Sequence, residues 1–306
     1  MRGSSRRQFL KSLGIAGAGT LAGLGAFGQS GDEQASKVTI LHTNDTHSRL
    51  DPYPANDPNY PNMGGYARRA ALINLLRQQD PQLLLLDAGD MLQGTPYFNM
   101  YGGEPEFRLM SRMGYDAATI GNHEFDNGLD GFNTVLPFAE FPFISSNYDF
   151  SGTVLAGKIK DHLILNRNGI KIGIYALGIE LQGLVGRELY GATLYQDPIP
   201  VARQMEDLLK NKLGCQLIIC LSHLGFEYGS DQVSDVILAA NTSHTDVILG
   251  GHTHYLLDPP EEVRNQADRK VIIGQSGYGG THLGKIEVYF DQQKVNKASF
   301  SMAKIC

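Results

Sequence analysis

Cysteine is scarce in this 306-residue chain, with Cys215, Cys220 and Cys306 its three representatives. So few thiols, in odd number, build no disulfide framework and leave at least one free in an oxidising compartment. Cys215 and Cys220 stand five apart around one apolar run, where strand alternation sends them to opposite faces. Cys220 reads as a small core residue rather than a ligand. Long apolar runs are also missing. Leu13 to Phe27 is weakly apolar, rich in Gly and Ala, and too short to span a bilayer, so no stable membrane anchor is expected. Positive charge is short as well: 26 Lys and Arg face 32 Asp and Glu, for a net −6. Arg2, Arg6, Arg7 and Lys11 precede the first acid, Asp32, and beyond them 22 basic residues face 32 acidic ones, or −10. Such a surface repels a nucleic-acid polymer. Small phosphorylated substrates stay open, because bound metal ions override the local field. Internal repeats, low-complexity linkers and a second composition regime are absent, so one domain from about Lys37 to Cys306 is expected. With 42 % apolar and 19 % charged residues, disorder is not the default.

Ser5-Arg6-Arg7-Gln8-Phe9-Leu10-Lys11 resembles the twin-arginine export signal, followed by the short apolar stretch and by small residues at Ala26-Phe27-Gly28. Residues 1–30 are therefore expected to be a signal peptide and the protein to be exported, periplasmic or secreted. An uncleaved amphipathic N-terminus is the alternative. Twin-arginine export carries folded proteins, which suits a site loaded with metal before crossing.

Strand-like runs recur at Val38–His42, Leu83–Asp87, Ala117–Ile120, Ile170–Leu177, Gln216–Leu221, Asp246–Leu249, Val271–Gly274 and Lys285–Phe290. Several are continuously apolar, as in strands covered on both faces. Between them, Tyr66–Gln79, Pro200–Leu213 and Val233–Ala240 carry helical periodicity. The alternation argues α/β architecture. Asp51–Asn62, with four prolines and three asparagines, reads as an exposed loop. Gly178–Gln196 reads as another, on the edge that carries the motifs.

Five of the nine histidines fall in short polar motifs that mostly close the apolar runs. Asp45 and His47 stand at i and i+2 past the first run, where extended backbone points both to one side. A carboxylate with an imidazole suits Zn²⁺, Mn²⁺ or Fe²⁺. Asp90 follows Leu83-Leu84-Leu85-Leu86, and Gly89 lets the chain turn so that its carboxylate could bridge two ions. Asp87, inside the strand, is the competing acid and suits a supporting role. Asn122 is either a metal ligand or a helix N-cap. His123 and Asp126, three apart at a helix start, share a face, so Asp126 can fix the His123 tautomer. His223, His252 and His254 add three imidazoles at strand ends. Each pair is ordinary taken singly; the ordered set points to a two-metal hydrolase.

The segments Thr43-Asn44-Asp45-Thr46-His47, Gly89-Asp90 with Gln93-Gly94, Gly121-Asn122-His123-Glu124-Phe125-Asp126 and Gly250-Gly251-His252-Thr253-His254 resemble the calcineurin-like metallophosphoesterases. More narrowly, they resemble the catalytic domain of the bacterial 5′-nucleotidase family, which includes UDP-sugar hydrolases and 2′,3′-cyclic phosphodiesterases. The resemblance implies a four-layer αββα sandwich with two central mixed sheets. It places one divalent ion (Mn, Zn, Fe or Co) on Asp45, His47, Asp90 and His254, and a second on Asp90, Asn122, His223 and His252, with Asp90 bridging. Some relatives carry Gln at the position of His254, which bears on metal preference. His123, oriented by Asp126, would stabilise the transition state and protonate the leaving oxygen. Two ions about 3.5–4 Å apart lower the pKa of a shared water, and the hydroxide attacks phosphorus in line with no covalent intermediate.

Family nucleotidases usually continue into a second domain that grips the nucleotide, whereas this chain stops at Cys306. Three readings follow. The chain is a free-standing phosphohydrolase of nucleotides or other small esters, including diesters. Or it is a catalytic subunit that docks a separately encoded substrate-binding domain. Or it is a metal-binding module without catalysis, against which the intact His123 and Asp126 argue.

Overall fold

In Leu83-Leu84-Leu85-Leu86 successive side chains leave the backbone on opposite sides. Leu84 and Leu86 are buried between two sheets, and Leu83 and Leu85 under a layer of helices. The same division runs through the molecule. It was traced in a computed structural model that describes residues 36–291 and 294–306; the expected export signal lies outside the described residues.

In chain order the elements are β1 (Lys37–Thr43), α1 (Tyr66–Gln79), β2 (Leu84–Asp87), α2 (Pro96–Tyr101), α3 (Glu104–Met113) and β3 (Ala117–Thr119). Next come α4 (Gly128–Val135), β4 (Phe143–Ile144), β5 (Tyr148–Asp149), β6 (His162–Arg167) and β7 (Ile170–Gly178). They are followed by α5 (Arg187–Tyr190), β8 (Leu194–Tyr195), α6 (Pro198–Glu206), β9 (Leu217–His223) and α7 (Asp235–Asn241). The last are β10 (Val247–Leu249), β11 (Glu261–Arg264), β12 (Lys270–Gly274), β13 (His282–Asp291) and β14 (Lys294–Lys304).

One six-stranded sheet has the order β14-β13-β1-β2-β3-β4 and the other β11-β12-β10-β9-β7-β6. In the first, β1 to β4 run parallel, and β13 pairs antiparallel with both β1 and β14; in the second, β7, β9, β10 and β12 run parallel between antiparallel edges. Val38, Ile40, Leu84 and Leu86 meet Ile172, Ile174, Leu217 and Ile219 across the space between the sheets. Ile73, Phe107 and Phe132 of α1, α3 and α4 cover the outer face of the first sheet. Val201, Met205 and Leu238 of α6 and α7 cover the second. The result is the expected four-layer arrangement of two mixed sheets between helices, and strands covered on both sides account for the continuous apolar runs.

Several details depart from the sequence reading. α6 begins at Pro198 rather than Pro200, because Asp197 Oδ1 accepts from the Ile199 N–H at 3.0 Å. Its regular turns end at Glu206 and give way to a π-helical segment, Asp207–Lys212. α7 runs Asp235–Asn241, with Ser234 Oγ accepting the Ile237 N–H. α2 and α3 went unread because Gly102 and Gly103 break the pattern between two short helices, and each turns with positive φ. The Gly178–Gln196 connection contains α5 and β8, the latter paired with β5. Cys215 and Cys220 do not face opposite ways. Both are buried in the outer core of the second sheet, since the strand starts only at Leu217 and alternation does not reach back to Cys215. Both thiols are free.

Candidate metal centre

Parallel strands place their C-terminal ends on one edge, and that edge gathers the polar motifs. Asp45 and His47 follow β1, Asp90 follows β2, and Asn122 and His123 follow β3; His223 ends β9, and His252 and His254 follow β10. Extended backbone does not do the aiming. Asp45 and His47 have φ of 48° and 45°, in the left-handed region, as do Asp90, His252 and His254 at 56°, 71° and 57°. Asp45 and His47 are therefore brought to one side by a left-handed turn and not by the extended strand that their i, i+2 spacing suggests. Each such residue costs of order 1 kcal/mol or more, and strain of this kind concentrates where function requires it. Backbone hydrogen bonds hold the turns, from Asp45 N–H to the Gly89 carbonyl at 2.9 Å, His47 to Asp90 at 3.1 Å and Gly279 to Asp45 at 2.8 Å.

Among the described residues three groups of donor atoms form, and two of them consist wholly of expected ligands. Those of Asp45, His47 and His254 lie within 4.8 Å of one another, as do those of Asp90, His223 and His252. Asp90 joins the groups, its Oδ2 lying 3.0 Å from His223 Nε2 and 3.9 Å from His47 Nε2. Asn122 makes no side-chain cap to the following helical turn. Its Oδ1 lies instead 2.8 Å from His252 Nδ1, beside the second group. All seven residues expected as ligands are therefore brought together.

The donors fit cations. His223 Nδ1 lies 2.7 Å from the Ala88 carbonyl, which can only accept, so this nitrogen carries a proton. The buried Nε2 faces Asp90 and has no partner in hydrogen-bond geometry. With Nε2 unprotonated, two lone pairs at 3.0 Å repel unless a cation lies against both. Burial disfavours an imidazolium at His223, yet Asp90 and Asp45 hold its pKa up at about 10. The negative potential here calls for a positive charge, proton or metal.

Three supporting residues went unassigned in the sequence. Buried Glu124 accepts four backbone N–H groups, from Gly121 and Asp90 on Oε2 and from Met91 and Leu92 on Oε1, at 2.6–3.2 Å. It locks the β2 and β3 loops together. Asn44 donates to Asp45 Oδ2 at 2.6 Å and accepts from Ser276, and Gln275 donates to the Gly251 carbonyl at 2.7 Å. Asp87 supports as expected, accepting from Thr43 Oγ1 at 2.6 Å and from the Gly89 N–H at 2.9 Å. Gly121 is required by close approach: a Cβ there would fall 2.2 Å from Asp90 Oδ1. Glu124→Gln puts an amide against donors at one end of the side chain. It is expected to cost about 2–4 kcal/mol, a drop of roughly 5–10 °C in melting temperature. An unchanged thermal melt would show that Glu124 does not hold the loops.

His123 opens a 3₁₀ turn, His123–Phe125, in which residues three apart eclipse, and its Nδ1 lies 2.8 Å from Asp126 Oδ2. Burial lowers its pKa, but Asp126 and then Asp90 outweigh that and hold it above the ordinary value. Its donor atom also lies within 4.8 Å of those of His47 and Asp90.

Residues 38–256 match the calcineurin-like phosphoesterase family. Human 5′-nucleotidase is 35 % identical over 283 residues, covering 85 % of this chain and 47 % of that protein. Among solved structures, the 5′-nucleotidase precursor of Thermus thermophilus superposes with a TM-score of 0.79 at 30 % identity, over 88 % of this chain and 54 % of that one. The calcineurin-like phosphoesterase YfkN of Bacillus subtilis gives 0.72 at 25 %, over 89 % and 91 %. The chain spans about half the length of the curated 5′-nucleotidases it matches. On the family match over most of its described length, the chain belongs to the calcineurin-like phosphoesterases.

Proposed function

We propose that this chain is a two-metal phosphoric ester hydrolase whose preferred substrate is a nucleoside 5′-monophosphate. The observation that carries the reading is Asp90, placed between two ligand groups with His123 beside both. Asp45, His47, Asp90 and His254 would hold one divalent ion, and Asp90, Asn122, His223 and His252 the other. Bound there, the ions supply an activated water and neutralise phosphoryl charge. The protein does the rest. Asp90 is fixed by accepting the His123 N–H on Oδ1 at 2.8 Å. Asn122, with its oxygen on the ligand side, keeps its N–H₂ for a phosphoryl oxygen. Asp126 holds His123 Nδ1, which leaves the other ring nitrogen to give a proton to the departing alkoxide. The nucleotide comes from the relatives, which are named 5′-nucleotidases. Export by the twin-arginine pathway belongs to the same reading; among the described residues no helix is long and apolar enough to cross a membrane.

One observation favours docking of a separate substrate-binding domain: Leu184, Tyr255 and Leu256 are 42–46 % exposed on the edge that carries the metal motifs. The test is hydrolysis by the Mn²⁺-, Co²⁺- or Zn²⁺-loaded mature chain of 5′-AMP, UDP-glucose, 2′,3′-cyclic AMP and aryl mono- and diesters. Selective turnover of 5′-AMP is expected. Slow, unselective aryl-ester cleavage would favour the docked-domain reading, and no cleavage by metal-loaded protein would defeat the hydrolase reading.

A further inference from the structure

A cavity of about 980 Å³ opens beside His252, between the connection after β7, the start of α6 and the loop after β9. Among the described residues its charged lining is of one sign: Glu180, Asp197 and Asp231, with no lysine or arginine. Tyr195 and Tyr228 supply its aromatic walls. Both phenols are neutral in the working pH range. Burial, then Glu180 and Asp197, push Tyr195 up to about 12, and burial, then Asp235, do the same for Tyr228. Asp197 caps α6 through Oδ1, which accepts the Ile199 N–H.

Resting on the hydrolase reading, the geometry points to a division of labour by charge. The cations on Asp45, Asp90 and the histidines would take the phosphoryl dianion, and the next cavity along the edge receives the alcohol that leaves. We propose that this cavity is the leaving-group subsite and that it selects phosphomonoesters of neutral or cationic alcohols over those of anionic ones. In the reaction the ester P–O bond breaks, water supplies the new P–O bond, and the alkoxide gains a proton, so the leaving group's own charge is unchanged throughout. A carboxylate or second phosphate on it therefore meets three carboxylates in both ground and transition states. A nucleoside satisfies the lining; the nucleoside monophosphate released from a diphosphate does not. At roughly 7 Å each, in a water-like dielectric with partial screening, three charges give roughly a 5- to 20-fold preference.

The experiment compares kcat/KM of the Mn²⁺-loaded chain for phosphocholine, glycerol 1-phosphate and 3-phosphoglycerate, and for AMP against ADP, with p-nitrophenyl phosphate to report hydrolysis itself. The expected result is a roughly 5- to 20-fold disadvantage for 3-phosphoglycerate and ADP at low salt, shrinking as KCl is raised. In Glu180→Gln/Asp197→Asn/Asp231→Asn the ratio should close to within about 2-fold at equal metal content. Asn keeps the helix cap, and Glu180 and Asp231 are exposed, so folding is preserved. Equal kcat/KM across the series, or discrimination that survives the triple substitution, overturns the proposal while p-nitrophenyl phosphate is still cleaved. Failure to cleave p-nitrophenyl phosphate overturns the hydrolase reading beneath it.

Discussion

Asp90→Asn empties both metal positions and abolishes hydrolysis, with kcat/KM expected to fall by at least about 10⁴. The substitution keeps size and shape and removes one charge, so the effect isolates what that charge does. Among the described residues, Asp90 is the one carboxylate within 4 Å of imidazole nitrogens from both groups, His47 and His223. Burial alone would raise its pKa; His223, His47 and His123 outweigh that and keep it well below the usual carboxylate range. An amide there would leave His223 facing a neutral oxygen, and the second position would rest on neutral donors, since Asn122, His223 and His252 carry no charge as ligands. The first position keeps Asp45 but loses half its charge. Elemental analysis of the dialysed variant, alongside calorimetric titration with Mn²⁺, reads this directly. Two metals at full occupancy in the variant would sink the bridging assignment, whatever the activity.

Why the candidate ligands stood out in the sequence but their supports did not follows from how each signal is written. His223, His252 and His254 close apolar strands, and an imidazole at the end of such a run stands out against Leu and Ile. The strand runs were legible because strands buried on both faces are apolar throughout, as with Leu83-Leu84-Leu85-Leu86. Glu124 stood inside a motif, but four backbone donors converging on one carboxylate arise from two loops that meet only in the fold. Gln275 and Asn44 act the same way across more than 200 residues of chain for the Asn44–Ser276 contact. Left-handed φ at Asp45, His47, Asp90, His252 and His254 has no sequence mark, because none is glycine. Short helices such as α2 and edge strands such as β6 were illegible for a simpler reason: half-buried elements carry weak periodicity.

His123→Ala is expected to lower kcat by about 10²–10⁴ while both metals remain bound, the loss typical of a missing general acid. The geometry allows two roles for this residue. Its donor atom is close enough to His47 and Asp90 to join a ligand group. Against that, Nδ1 is taken by Asp126 at 2.8 Å, and the side chain is about one-third exposed. His223, by contrast, is wholly buried. Metal content separates the roles, since a ligand's removal lowers occupancy and an acid's removal does not. Asp126→Asn sharpens the test. The amide keeps a partner at Nδ1 but removes the charge that holds the imidazolium, so kcat should fall by roughly tenfold, with the alkaline limb of the pH profile moved to lower pH. A substrate whose leaving oxygen needs no proton gives the final contrast. p-Nitrophenyl phosphate should lose far less than a nucleoside monophosphate in His123→Ala. Equal losses on the two esters would assign His123 to stabilising the phosphoryl oxygens rather than to protonation, and loss of a metal would assign it to the ligands.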